Sequence, residues 1–314
     1  MIATYFFIAC LNLATASDPF MIRIPRGTFE VPVQYTLAEG DETRNGLGDL
    51  EFEFAFFTIR PTWHTDQARS SFEVRAVRIA DTDISMRLNI PMPIFDSSLS
   101  FRNPRFEFSF PDVLITPVSD SEDLIVARST NPTEYAYEGR IFYTPMFTEG
   151  PRPGIMPRLR LRTAIRLGGA TPHAAADTDD FVQCSISAND RANIEIPARL
   201  REEFLTRLNQ MEGITIPTTS IVGNIIAMRV DGPGRLTELP SLDIIIPAED
   251  GTEVQIAQLH PQDYAVSTDE PNEYHIIFGT SSRFTLTRRI ISNLLLHIDY
   301  ENDRVGFADP LFEL

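Results

Sequence analysis

The stretch Cys184–Met211, CSISANDRANIEIPARLREEFLTRLNQM, decides how this chain is read. Ile186, Ile194 and Ile196 are β-branched and sit in an alternating context, which suits a half-buried strand. Pro197 stands where a first helical residue is expected, because its missing N–H would go unpaired there in any case. Leu200, Phe204, Leu205, Leu208 and Met211 then recur at the spacing of one helix face. The pattern predicts a strand, a polar turn and an amphipathic helix. The turn is Ser187-Ala188-Asn189-Asp190-Arg191, a polar segment held by regular elements on either side, where binding and catalytic groups tend to sit.

Working outward, Leu239-Pro240-Ser241-Leu242-Asp243-Ile244-Ile245-Ile246 reads as a buried strand ahead of a turn at Asp250-Gly251. Leu259, Pro261 and Tyr264 follow in LHPQDY, and HIDYENDRVGFADP spans His297 to Pro310. Upstream lies STNPTEYAYEGRIFYTPMF, Ser129 to Phe147. In this order the four segments resemble pepsin-like aspartic proteases, whose C-terminal lobe carries "g.Dp..y.G.l.ytPv", "lPdIvf…G…L.p.dY" and "FD.eN.RiGFA". The resemblance covers residues 124–310. It implies a mainly β, bilobal pepsin-like fold, with an aspartic-protease site built from one carboxylate in each lobe.

The resemblance extends, in reduced form, to FEVRAVRIADTDISMRLNIP, Phe72 to Pro91, which is similar to the family's N-lobe active strand "f.v.vDTGSS.lw.P". Asp81 and Thr82 match, Ser85 fits, Pro91 falls one place late, and Asp83 stands where the family has Gly. Taken alone, the same residues read as a strand followed by a surface turn, since Asp and Ser favour turns. Counted back from Pro197, the C-lobe Asp-Thr-Gly-Thr falls on Ala188, Asn189, Asp190 and Arg191. A slip of one or two residues makes Asp190 the only carboxylate there, and by itself Asp190 is a polar turn residue. The vestigial candidates are therefore Asp81 and Asp190, with Ala188 at the expected C-lobe position. The family's apolar-apolar-Gly-Asp turn finds Ile277-Phe278-Gly279-Thr280, or else Thr287-Arg288-Arg289, in this chain.

The chemistry explains why these departures matter. Aspartic proteolysis needs two adjacent carboxyls sharing a proton, so that one acts as acid and the other as base toward water. Alanine has no proton to share. A third carboxylate at Asp83 adds repulsion and fills space that Gly leaves open.

Before this, Met21–Asp123 alternates apolar and polar residues, as in IRIPRGTFEVPVQYTL, LEFEFAFFTI and SFEVRAVRI, and Pro recurs between short runs. That points to antiparallel β structure. Between Pro91 and Asp123 the chain is too short for the family's flap hairpin and the rest of its N-lobe. The expected organisation is a signal peptide at 1–16, a reduced or rearranged β-rich N-terminal lobe at 17–123 and a pepsin-like C-terminal lobe at 124–314, divided at the acidic run Ser119–Asp123.

The apolar run Ile2–Leu13 ends at Ala14-Thr15-Ala16, a small-x-small cleavage pattern, and is too short to span a bilayer. Secretion is expected, with Cys184 the single cysteine left, read as a small buried side chain. The net charge of −17 argues against a nucleic-acid partner, which needs a basic surface. All 27 basic residues are Arg, which excludes chemistry that requires a lysine amine. His64, His173, His260, His275 and His297 are scattered, with no HExxH, so no metal and no cofactor is expected. No G-x-S-x-G elbow is present. Three functions follow from the resemblance: a pseudoprotease that binds peptide or protein, a diverged aspartic endopeptidase using Asp81 and Asp190, or a structural or surface scaffold.

Overall fold

The computed structural model describes residues 20–26, 30–39, 42–53, 56–61, 73–79, 85–90, 94–95, 104–108, 112–127, 131–148, 159–168, 182–187, 194–216, 221–222, 225–281 and 284–311. The fold is mainly β, with large antiparallel sheets and a few short helices. It divides into two compact units. Unit 1 comprises Met1–Ile141, Phe147–Leu159 and Ser292–Leu314; unit 2 comprises Phe142–Met146 and Arg160–Ile291. This division differs from 17–123 and 124–314, because the end of the chain belongs with its beginning.

In unit 1 the chain runs through β1 (Phe20–Pro25), β2 (Glu30–Glu39), β3 (Glu42–Glu53), β4 (Phe56–Pro61), β5 (Glu73–Ile79), β6 (Ser85–Ile90), β7 (Ile94–Phe95) and β8 (Pro104–Phe108). Strands β2 to β8 form one sheet in the order β6-β5-β2-β3-β4-β8-β7. Its spine is the hairpin β2–β3, paired from Glu30↔Glu51 to Glu39↔Glu42. Val31 and Val33 are buried while Pro32 and Gln34 are exposed, the alternation of a sheet with one covered face.

β9 (Asp112–Pro117) and β10 (Glu122–Ala127) form a second hairpin in which all but the first residue of each strand is buried. A continuous apolar run of this kind suits a strand covered on both faces. The acidic run Ser119–Asp123 forms its turn and the start of β10, where the Val118 N–H donates to the Glu122 carbonyl.

The chain continues, mostly within unit 2, through β11 (Phe142–Thr148), β12 (Leu159–Leu167), β13 (Val182–Ser187), β14 (Ile194–Pro197), α1 (Ala198–Gln210), β15 (Ile214–Thr215), β16 (Ile221–Val222) and β17 (Ile225–Val230). β18 (Leu242–Pro247), β19 (Glu253–Leu259), α2 (Pro261–Tyr264), β20 (Ala265–Ser267), β21 (Glu273–Ile276), β22 (Phe278–Ser281), β23 (Phe284–Thr287) and α3 (Arg288–Ile291) complete it. β18 and β19 form the expected hairpin, and Gly251 in its turn has φ of 83°, a left-handed conformation that glycine adopts without strain.

The chain then returns to unit 1 with β24 (Leu295–Asp299) and β25 (Arg304–Ala308), giving the sheet order β1-β10-β9-β24-β25. The Asp299 carboxylate organises the last turn. It accepts from the Asn302 N–H at 3.2 Å, from Asn302 Nδ2 at 2.8 Å and from Arg304 Nε at 2.8 Å.

The helix predicted after Pro197 is α1, and it buries Leu200, Phe204 and Leu208. It begins one residue later than expected. Pro197 has ψ of 141°, an extended value, and is the last paired residue of β14, opposite Ser281. Phe204 packs edge-on against Phe278 at 5.0 Å and against Tyr264 at 5.5 Å between ring centroids. These three rings tie the helix to β22 and α2.

Candidate functional site

The site suggested by the sequence lies where two pairs of parallel strands meet in unit 2. β13 pairs with β23 from Cys184↔Phe284 to Ser187↔Thr287. β14 pairs with β22 from Ile194↔Phe278 to Pro197↔Ser281. The order is inverted: the chain passes from β13 to β14 in one segment, but from β14's partner to β13's partner in the other. The two segments therefore cross, and the crossing braces both ends of the connection between β13 and β14.

One face of β13 is core. Cys184, Leu161 and Leu286 are fully buried there, with Thr163 beside them. Burial pushes the Cys184 thiol up to about 12; the Thr163 side chain and the Leu286 backbone offset part of this. A thiol held protonated is a poor nucleophile. The expectation of an inert, buried Cys184 holds.

β13 ends at Ser187, opposite Thr287, and α3 opens with Arg288 and Arg289. The register thus sets Thr287-Arg288-Arg289 against the end of β13. Ile277-Phe278-Gly279-Thr280 instead runs into β22, beside β14. Of the two segments considered for the apolar-apolar-Gly-Asp turn, the one containing Thr287 adjoins the critical strand.

Ala188, Asn189, Asp190 and Arg191 lie outside the described residues, as do Asp81, Thr82 and Asp83. The strands flanking Asp81 are described. β5 and β6 pair antiparallel with Val77↔Met86 and Arg78↔Ser85, so they form a hairpin joined through the segment that contains Asp81. This differs from the crossed parallel pairs around Ala188.

The four sequence segments are brought together two by two. In unit 2, the Tyr264 hydroxyl of LHPQDY donates to the Pro240 carbonyl of LPSLDIII at 2.6 Å. Burial, with the Asp263 charge added, raises the Tyr264 pKa, so the hydroxyl remains a donor. In unit 1, Ala136 of the STNPTEYAYEG segment bridges to Pro310, just beyond VGFA. The Tyr137 N–H donates to the Asp309 carbonyl and the Leu311 N–H to the Tyr135 carbonyl, both at 2.7 Å.

His297 is one residue whose setting sequence reasoning missed. Grouped with the scattered histidines, it is buried in β24, its Nε2 2.5 Å from Asp112 Oδ1. Its position inside the apolar run LLLHID was the available signal. Among the described residues no group of three His, Cys, Asp or Glu side chains forms a metal site, and no helix is long and apolar enough to cross a membrane.

No family model matches the chain, and no curated protein matches it. Among solved structures it is similar to the crystal structure of basic 7S globulin from soybean, with a TM-score of 0.48 and 13% identity, over 84% of this chain and 70% of that chain.

Proposed function

We propose that the chain is a secreted relative of pepsin-like aspartic proteases that has lost the catalytic pair and binds an extended peptide or protein segment. The observation that carries this is the register Ser187↔Thr287. It ends the paired part of the strand one residue before Ala188, where the resemblance expects a catalytic Asp. Without a carboxyl at that position, no proton can be shared with a partner acid. The β5–β6 hairpin adds support, because Asp81 then belongs to a hairpin connection rather than to a braced crossing. The contacts between Tyr264 and Pro240, and between Ala136 and Pro310, support the resemblance itself, since they join segments that were matched independently. Open strand edges and strand ends are the physical basis for holding an extended chain. Secretion rests on the apolar run Ile2–Leu13 and on Ala14-Thr15-Ala16.

Purified mature protein, incubated with denatured substrate across about pH 3–6 to bracket the carboxylate range, tests the reading. The expected result is no statine-sensitive cleavage, together with retention of a labelled extended peptide. Cleavage that disappears in Asp81→Asn or Asp190→Asn would establish the diverged endopeptidase instead. Absence of both cleavage and peptide binding would favour the scaffold. Intact mass of the secreted product is expected to place the new N-terminus near Ser17, and retention of residues 1–16 would refute the leader.

A further inference from the structure

We propose that Asp250-Gly251 is a self-modification site, at which the turn between β18 and β19 converts to an isoaspartyl linkage without an enzyme. This chemistry is independent of peptide binding and needs only water. The Gly251 nitrogen attacks Cγ of the Asp250 carboxyl in its protonated form. An N–C bond forms, a C–O bond breaks, and one water leaves with that oxygen, the carboxyl proton and the amide hydrogen. The five-membered imide then takes water back at either carbonyl. Opening at Cγ restores aspartate. Opening at the main-chain carbonyl leaves the chain running through the side-chain carbon, with the α-carboxylate pendant. Glycine favours closure because it has no Cβ to obstruct the ring.

The chain offers this ring closure at Asn45-Gly46, Asp231-Gly232 and Asp250-Gly251, and the structure separates them. Asn45 and Gly46 stand inside β3, paired with Thr36 and Tyr35 of β2, and closure there would break the ladder. Asp231 and Asp250 are both exposed, and a Cβ at Gly232 or Gly251 would meet nothing within 4 Å. What differs is where the carboxyl lies. Asp231 packs across to another segment: its N–H donates to the Gly213 carbonyl at 2.8 Å, and its Oδ2 would be 3.4 Å from a Cβ at Gly213. Asp250 folds along its own chain. Its Oδ1 accepts from the Thr252 N–H at 2.9 Å and from Thr252 Oγ1 at 2.6 Å. A carboxyl bonded to the second residue on lies alongside the intervening amide, whose nitrogen is the one that attacks. The two donors also draw electron density from the carboxyl carbon.

The Gly251 N–H donates to the Ala248 carbonyl at 2.9 Å, and the Ala248 N–H to the Thr252 carbonyl at 2.8 Å. The first of these must open before attack. Glu249, Asp250, Gly251 and Thr252 are all exposed, and local opening costs least at such a tip. Conversion adds one backbone carbon between Asp250 and Gly251, so the two bonds no longer close in register. Below the tip the hairpin is held by the pairs from Pro247↔Glu253 to Leu242↔Leu259, and the buried Ala248 and Ile246 stay with it. The change is therefore confined to the turn, and the fold of unit 2 survives it.

The test ages full-length mature protein for weeks at neutral pH, in buffer and in urea. Isoaspartate is labelled with a carboxyl methyltransferase and a radioactive methyl donor, and located by peptide mapping. In the native protein residue 250 is expected to carry several times the isoaspartate found at residue 231, whereas in urea the two convert alike. Asp250→Asn, which loses ammonia in place of water, is expected to convert faster to the same products. Asp250→Glu, whose ring would have six members, is expected to stay unmodified there. Far-UV circular dichroism checks that both variants, and the aged protein, keep the native spectrum. Native conversion at Asp231 equal to or above that at Asp250 overturns the proposal, as does the same ratio of the two sites in buffer and in urea. Absence of conversion at residue 250 in the native protein overturns it whatever the denatured chain does.

Discussion

Truncation of Phe204 probes the element on which the whole reading of unit 2 depends. The side chain is fully buried and meets Phe278 and Tyr264 edge-on, at 79° and 85° between ring planes. Removing a buried Phe side chain costs about 3–5 kcal/mol, from lost transfer energy and the cavity left behind. Each edge-on aromatic contact contributes about 0.5–1.5 kcal/mol beyond burial. These contributions overlap rather than add, so Phe204→Ala is expected near the upper end, about 4–5 kcal/mol. Set against a typical stability of about 5–15 kcal/mol, that is enough to bring unit 2 close to unfolding. The assay is urea titration of the full chain. Near-UV circular dichroism follows the aromatic cluster and far-UV the backbone, so the two units can be separated if they melt apart. Glu203→Ala, at the exposed neighbouring position, is the control and should stay within about 0.5 kcal/mol. A loss below about 1 kcal/mol for Phe204→Ala would mean that α1 does not pack by this face, and the strand–turn–helix frame around Ala188 would fall with it.

Three further outcomes follow from the geometry. Cys184 should resist iodoacetamide at pH 8 in the native protein and react fully in denaturant; because its thiol is raised from 9.0 to about 12, stability should also fall as pH rises above the unfolded value. Burial alone would raise the Asp299 carboxyl, but hydrogen bonds from Asn302 and Arg304 outweigh it and hold the group below its usual value of 3.8; the stability it contributes is present above that value and is lost as pH falls through the lower, folded one. Arg304→Gln should therefore move the acid-unfolding midpoint of unit 1 to higher pH, and an unchanged midpoint would show the interaction to be idle. Tyr264→Phe removes the donor to the Pro240 carbonyl and should cost about 1–3 kcal/mol if that oxygen is left without a partner, read by the same urea titration.

Much of the framework was legible because it rests on short-range rules. The spacing of Leu200, Phe204 and Leu208 specifies a buried helix face without knowledge of what covers it. Asp250-Gly251 marks a turn for reasons local to glycine. The helix start was misjudged by one residue because a tertiary demand outweighed a local preference: Pro197 fits the first turn of a helix, yet its carbonyl-side geometry stays extended to complete the pairing with Ser281, a residue far along the chain. The same limit applies to the division of the molecule. Ser119–Asp123 carries the composition of a linker, but the apolar runs on either side of it pair with each other, and a hairpin turn has the same composition as a linker.

The site is harder to read, for a physical reason. A catalytic pair is a relation between residues distant in sequence, and only the relation carries the chemistry. Asp81 and Asp190 are each ordinary turn residues by local criteria. What distinguishes an active turn is its bracing, and in unit 2 that bracing depends on parallel pairing between segments about ninety residues apart, β13 with β23 and β14 with β22. No periodicity within either segment announces it. Once the crossing is present, position acquires meaning: β13 ends at Ser187 opposite Thr287, and the next residue in the sequence is Ala188, whose side chain carries no acid–base group. The frame costs ordering entropy whether or not it holds a catalytic acid. Whether that frame holds a ligand, as proposed above, is the outcome that the peptide-retention assay reads.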